Sequence, residues 1–154
     1  MSDREIKRVG VLGAGTMGGG IAQCAAQAGC EVVVRDVSEE ALASGIAAID
    51  KSLSRLLKKE RITVEQKAET LSRISTTLSM GEAAEGMDLI VEAIPERMDL
   101  KIEAFSFLGE NAPGHAILGT NTSSLSVTEI AAASGCAERV VGMHFFNPVP
   151  VMKL

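Results

Sequence analysis

No run of apolar residues in this sequence approaches the roughly 18 needed to cross a bilayer as a helix, so a helical membrane span is excluded on length. An apolar leader is missing too: Met1 to Arg8 carries Asp3, Arg4, Glu5, Lys7 and Arg8, the wrong chemistry for a signal peptide. Cysteine is scarce. Cys24, Cys30 and Cys136 are odd in number and lack Cys-x-x-Cys spacing. They read as buried, reduced thiols of a reducing compartment, and not as a disulfide frame or a zinc site. Positive charge is in deficit, with 15 Lys and Arg against 20 Asp and Glu for a net charge of -5. A basic surface that would neutralise nucleic-acid phosphates is therefore not expected. Internal repeats and low-complexity segments are lacking as well. These absences describe a cytoplasmic protein without nucleic-acid or membrane partners and without a bound metal.

What is present is ordinary globular chemistry. The 154 residues, 46% hydrophobic and 23% charged, suffice for one domain with a full core and are too few for two. Short apolar runs alternate with helical periodicity. Val9 to Leu12, Val32 to Val34, Leu89 to Ile94, Ala116 to Gly119 and Val140 to Met143 read as strands buried on both faces, with Thr76 to Leu78 a weaker candidate. Between the first two, Met17 to Ala28 reads as an alanine-rich helix closed by Gly29. After Asp36, Ser38 caps a helix whose apolar stripe is Leu42, Ile46, Ile49, Leu53 and Leu56, in steps of three and four. Thr63 with Gln66 forms a capping box for a second helix running to about Ile74, and Ser126 with Glu129 forms another before Ile130. Pro95 is placed to start the helix after the Leu89 run. Strand–helix alternation of this kind specifies an α/β fold of Rossmann type. It is a doubly wound, mostly parallel sheet with a helical pair inserted after the second strand.

Five glycines, Gly13, Gly15, Gly18, Gly19 and Gly20, crowd the point where the first helix should begin. Each costs about 1 kcal/mol in a helix relative to alanine, so they need a reason. Gly13-Ala14-Gly15-Thr16-Met17-Gly18 is G-x-G-x-x-G between a strand and a helix. In that pattern the first glycine makes the turn, the second admits a pyrophosphate and the third lets helix and strand approach. Gly19 and Gly20 would permit further close packing. Asp36, at the end of the next strand, stands where a carboxylate binds the ribose 2′-hydroxyl and repels a 2′-phosphate, which selects NAD over NADP. Arg35 is the opposing signal, although strand neighbours point to opposite faces and it need not reach the same ribose.

Three further stretches, "VEAIPERMDLK", "TNTSSLS" and "GMHFFNPVPVMKL", extend the pattern along the chain. Together with the glycine turn they resemble the L-3-hydroxyacyl-CoA dehydrogenases, including the bacterial 3-hydroxybutyryl-CoA dehydrogenases. The resemblance covers essentially all of residues 1–154, as the family's N-terminal NAD-binding domain. It implies that His144 is the catalytic base and that Ser123 contacts substrate. It also implies that Glu96 and Lys101 approach the cofactor, and that Ser52 and Lys59 approach coenzyme A. Asn147 is expected to help hold the substrate or its loop. The family pattern continues past Leu154 with a glutamate that supports the histidine, then a helical domain carrying most of the acyl site and the dimer contacts. The resemblance thus implies the cofactor half of a longer, homodimeric enzyme, inactive by itself.

The residues bear this independently to different degrees. His144 follows an apolar run and so stands at the strand edge where open α/β sheets bind ligands. A histidine suits proton removal near neutral pH, yet a histidine making one structural hydrogen bond would look the same. Ser123 follows another strand end, where helix capping is the competing use, although Ser126 is better placed for that task. Ser52 and Lys59 lie two helical turns apart beside Lys51, Arg55, Lys58 and Arg61, which suits phosphates or simply a solvated helix end. Glu96 and Lys101 are as easily a surface charge pair. For function, an NAD-dependent interconversion of L-3-hydroxyacyl-CoA and 3-ketoacyl-CoA stands against a non-catalytic NAD-sensing domain. A sensor has no need of Ser123 or the His144 motif.

Overall fold

The computed structural model describes residues 3–154; Met1 and Ser2, part of the charged N-terminal stretch, lie outside the described residues. Among the described residues six strands form one sheet: β1 (Arg8–Leu12), β2 (Glu31–Arg35), β3 (Ile74–Thr77), β4 (Leu89–Glu92), β5 (Ile117–Thr120) and β6 (Val140–Gly142). Their order is β3-β2-β1-β4-β5-β6, and every pairing is parallel. The order reverses between β1 and β4. That is the switch point at which a doubly wound sheet opens a crevice beyond its carboxyl edge.

Helices cover both faces. On one side α1 (Thr16–Gln27) and α2 (Glu39–Lys58) bury Ile21, Ala22, Leu42, Ile49 and Leu53 against Val9, Val11, Val32 and Val34. The stripe read from the sequence is the face that packs, with Ile46 and Leu56 partly buried beside it. On the other side α4 (Met80–Ala84), α5 (Met98–Asn111) and α6 (Val127–Ser134) enclose Leu12, Ile90, Phe105, Leu108, Leu118 and Ile130. Phe105 and Leu108 are closed to solvent, each contributing about 2–3 kcal/mol of apolar burial. The helix α3 (Val64–Ser72) completes the inserted pair between β2 and β3. Among the described residues, no helix is long and apolar enough to cross a membrane.

Local signals account for most boundaries. Side-chain hydroxyls cap α2 (Ser38 to Ala41 N), α3 (Thr63 to Gln66 N, with the reciprocal Gln66 bond), α4 (Ser79 to Glu82 N) and α6 (Ser126 to Glu129 N). At Ser126 the box is half made, since no return bond from the Glu129 side chain is formed. Gly29, at φ +98, lets the chain leave α1. Two expectations fail. The helix after β4 starts at Met98 and not at Pro95, because Arg97 N donates to Pro95 O at 2.7 Å and Ile94 N to Glu92 Oε2 at 2.8 Å. Those bonds fold residues 94–97 into a turn first. The last strand is not buried on both faces either: Val141 is 43% exposed, since β6 is the edge of the sheet.

Candidate functional site: a dinucleotide cleft and its rim

The glycine turn lies at the switch point and is shaped by close approach. A Cβ on Gly18 would stand 1.8 Å from Gly13 O, and one on Gly13 would stand 2.4 Å from Ala93 O across the β1–β4 gap, where φ is +106. Gly15 differs. A Cβ there meets no protein atom within 4 Å, and its φ of -72 suits any residue. Its missing side chain therefore leaves open space beside the start of α1, which is what a bound pyrophosphate requires. The α1 N-terminus has no side-chain cap and no acidic residue in its first turn. Its free N–H groups and positive dipole end thus remain available to an anion.

Of the remaining two glycines, Gly20 is needed for packing, since a Cβ would lie 2.8 Å from Val149 Cβ. Gly19 is not, its nearest neighbour being Ile49 Cγ1 at 3.9 Å. Sequence reading missed Gly45 of α2, where a Cβ would meet Ala14 O at 2.6 Å. It brings the inserted helix against the glycine turn.

The crevice has a volume of about 630 Å³ and is lined by Gly13, Gly15, Thr16, Met17, Asp36 and Val37 on one side and by Ala93, Ile94, Pro95 and Leu100 on the other. Asp36 is half-buried. Its Oδ2 accepts from Ala14 N at 2.8 Å and its Oδ1 from Val37 N at 2.6 Å. The carboxylate thus ties the end of β2 to the glycine turn while lining the cleft. Arg35 lines the same cleft, contrary to the alternation argument. Its Nε donates to Leu78 O at 3.1 Å, which bends the side chain around the strand end.

Lys101 and Glu96 do not form a surface pair. Lys101 is 1% exposed, and its Nζ lies 2.6 Å from Glu92 Oε2, itself closed to solvent. A buried ammonium requires a partner, and the ammonium is engaged there and not on the cleft wall. Glu92 was missed as a site residue. The signal was a carboxylate inside the apolar run Leu89 to Ile94. Its Oε1 accepts from Thr120 Oγ1 at 2.7 Å and its Oε2 also takes Ile94 N at 2.8 Å, so it joins β5 to the cleft wall. Glu96 is exposed and accepts from Thr122 Oγ1, which places it beside the turn that carries Ser123.

Ser123 follows β5 and His144 follows β6. Those strands pair with Thr120 opposite Gly142, so both residues leave adjacent carboxyl edges of the sheet. Both are exposed. Ser126 caps α6 and Thr122 Oγ1 accepts from Leu125 N at 3.0 Å, which leaves Ser123 without a structural task. The His144 ring lies 4.7 Å from that of Phe146, tilted by 42°.

A second cleft, about 350 Å³, opens between α1, α2 and the Asn147–Pro150 segment and contains Ser52 and Asn147. Lys59 is the exposed C-cap of α2 and lies outside that cleft. Lys51, Arg55 and Lys58 line a separate shallow hollow. Of the sequence-predicted coenzyme A residues, Ser52 and Asn147 therefore share a cleft, whereas Lys59 at the end of α2 is outside it. His115, the second histidine, is far from all of this and contacts Asp88 Oδ1 at 3.1 Å. Among the described residues, no group of three or more His, Cys, Asp or Glu could hold a metal.

A glycine turn at the switch point, an uncapped helix start and a carboxylate at the end of β2 define a dinucleotide-binding domain. Comparison with known proteins narrows this. Residues 8–154 match the family described as "3-hydroxyacyl-CoA dehydrogenase, NAD binding domain", and the chain belongs to it. It is 48% identical over 150 residues to a probable 3-hydroxybutyryl-CoA dehydrogenase of Bacillus subtilis, covering 97% of this chain and 52% of that protein. Identity to the 3-hydroxybutyryl-CoA dehydrogenase of Clostridioides difficile is 44% over 147 residues, covering 96% and 52%. The crystal structure of (S)-3-hydroxybutyryl-CoA dehydrogenase from Ralstonia eutropha superposes with a TM-score of 0.92 at 44% identity, covering 96% of this chain and 52% of that one. The chain thus spans about half the length of the curated relatives it matches, and its cofactor is NAD.

Proposed function

We propose that the chain is the cofactor-binding part of an enzyme that oxidises an L-3-hydroxyacyl-CoA, in particular 3-hydroxybutyryl-CoA, to the 3-ketoacyl-CoA and runs the reverse reaction. The observation that carries the reading is the pairing of β5 with β6, which brings Ser123 and His144 to one rim beside the NAD cleft. NAD, when bound, supplies the hydride acceptor. Gly15 leaves room for its pyrophosphate, Asp36 takes the adenine ribose, and Ile94 and Pro95 wall the opposite side. His144 removes the hydroxyl proton, a task suited to an imidazole near neutral pH, and Ser123 orients the same oxygen. Glu96 contributes from beside the Ser123 turn, and Lys101 acts through Glu92 and the loop it holds. Ser52, Lys59 and Asn147 are assigned to coenzyme A, with the cationic end of α2 meeting its phosphates.

A domain that only senses NAD has no use for an exposed serine and histidine at that rim. Three free thiols, of which Cys136 is buried as expected and Cys24 and Cys30 are only partly so, fit a reducing, cytoplasmic setting. Homodimerisation through further sequence belongs to the same reading.

The decisive experiment is acetoacetyl-CoA-dependent oxidation of NADH by a form extended to the length of the relatives, with and without His144→Ala. The reading requires turnover in the first and loss of at least about a hundredfold in the second, at unchanged NADH affinity. Full activity of the variant removes His144 from the chemistry.

A further inference from the structure

The segment carrying His144 has left the sheet, since β6 ends at Gly142. Two hydrogen bonds nevertheless bracket the histidine. Met143 N donates to Thr120 O at 2.8 Å, the last rung of the β5–β6 ladder. Phe145 N donates to Asn121 Oδ1 at 2.9 Å. The backbone acceptor that β5 would have offered next is thus replaced by a side-chain amide. That amide is itself immobilised. Asn121 N donates to Glu92 O at 2.9 Å. On one side of it Thr120 Oγ1 is bound to Glu92, and on the other Thr122 Oγ1 is bound to Glu96. The His144 ring has an aromatic neighbour, Phe146, but no hydrogen bond of its own among the described residues, so its direction depends on the backbone to either side.

We propose that Asn121 is a positioning residue for the dehydrogenase reaction, whose side-chain carbonyl sets the direction of His144 by holding Phe145 N. The inference rests on the assignment of His144 as base. Nothing local distinguishes Asn121 from a turn asparagine; only the meeting of the loops after β5 and β6 gives it this partner. A general base must lie within hydrogen-bond reach of its proton, and a displacement of about 1 Å can cost a hundredfold in rate. Losing the Asn121 acceptor should therefore lower kcat and leave ground-state binding almost intact.

The test compares Asn121→Ala, Asn121→Asp and His144→Ala in the extended enzyme, with kcat, KM for acetoacetyl-CoA and NADH, and pH profiles of that reduction and of 3-hydroxybutyryl-CoA oxidation by NAD. For Asn121→Ala, kcat should fall about 10- to 100-fold with each KM within about threefold, and the Phe145 amide should exchange faster with solvent. Asn121→Asp keeps an acceptor and should recover most of kcat. The added negative charge favours the imidazolium, so the acid limb of its oxidation profile should move to higher pH. A merely structural asparagine would not give a loss confined to kcat in Asn121→Ala together with its recovery in Asn121→Asp. If His144→Ala is inactive while Asn121→Ala turns over normally, the positioning role is wrong and the base assignment stands. If His144→Ala is active, the base assignment fails and this inference with it. Should Asn121→Ala fail to fold, Asn121→Asp decides: a folded variant without recovered turnover, or with an unmoved acid limb, overturns the proposal.

Discussion

Lys101 Nζ lies 2.6 Å from Glu92 Oε2, and both side chains are closed to solvent at the end of the strand that walls the NAD cleft. The pair is joined to β5 by Thr120 and to the cleft wall by Ile94 N. Removing one partner of a buried ion pair typically costs about 3–5 kcal/mol, because the other charge is left unpaired. Lys101→Met is therefore expected to lower the free energy of urea unfolding by about that amount. Glu92→Gln combined with Lys101→Met should recover more than half of the loss. NADH affinity should fall in the single variant, since the released carboxylate no longer fixes Ile94. Stability equal to the parent in Lys101→Met would show the pair to be energetically idle.

Gly15 and Gly18 make opposite predictions from the same motif. Gly18→Ala places a methyl group 1.8 Å from Gly13 O, so about 3 kcal/mol or more of stability should be lost. Gly15→Ala meets no protein atom within 4 Å. Its unfolding free energy should change by less than about 0.5 kcal/mol, while NADH affinity drops at least about tenfold. Fluorescence titration with thermal unfolding separates the two, and undiminished NADH binding by Gly15→Ala would move the pyrophosphate elsewhere.

Asp36 ties the glycine turn to the end of β2, and the proposed function gives it the choice of NAD as well; Asn can keep only part of the first task. Asp36→Asn retains one acceptor, for Ala14 N, loses the one for Val37 N, and removes the charge that would repel a 2′-phosphate. The parent should bind NADH more tightly than NADPH, and the variant should narrow that difference by about tenfold while losing about 1 kcal/mol of stability with the Val37 N bond. With Arg35 lining the same cleft, the narrowing should come mainly from improved NADPH binding.

At the opposite end of the sheet, Asp88 accepts from Lys7 N at 2.9 Å and Arg8 N at 3.0 Å and contacts His115. The two backbone N–H groups, with a smaller contribution from His115, hold its carboxyl below the usual value of 3.8. A depressed folded-state value means stabilisation that is fully present above the unfolded value and lost as pH falls through the folded one. Asp88→Asn should thus be less stable than the parent at pH 6, and the two should converge as pH drops from about 4 downward. Urea midpoints measured from pH 6 to pH 2 test this; a gap that persists unchanged at the acid end would discount the linkage.

Lys59 is exposed at the C-cap of α2. Lys59→Glu in the extended enzyme is expected to raise KM for acyl-CoA by about two- to fivefold, the size of an exposed ion pair. The effect should shrink at high salt, and the NADH dissociation constant should not change. Insensitivity to the substitution at low ionic strength would leave the cationic helix end as a solvated surface.

Strand–helix alternation, the caps at Ser38, Thr63 and Ser126, the apolar stripe of α2 and the G-x-G-x-x-G turn with its Asp36 were all legible in the sequence. Each is written within a few residues or one βαβ unit, where helical period, capping chemistry and the glycine requirement act locally. The same locality misled at Pro95, where a good helix-starting residue was overruled by the turn that Glu92 holds. It misled again at Val140 to Gly142, whose apolar character says nothing about being an edge strand. The rim was decided only by tertiary structure. Glu92 meets Thr120, and Asn121 meets Phe145, because parallel pairing of β4, β5 and β6 sets their carboxyl ends side by side, while Lys101 reaches Glu92 from α5 as that helix packs back on the sheet. Partners 24 or 28 residues apart leave no spacing to read, because sheet order determines which loops become neighbours.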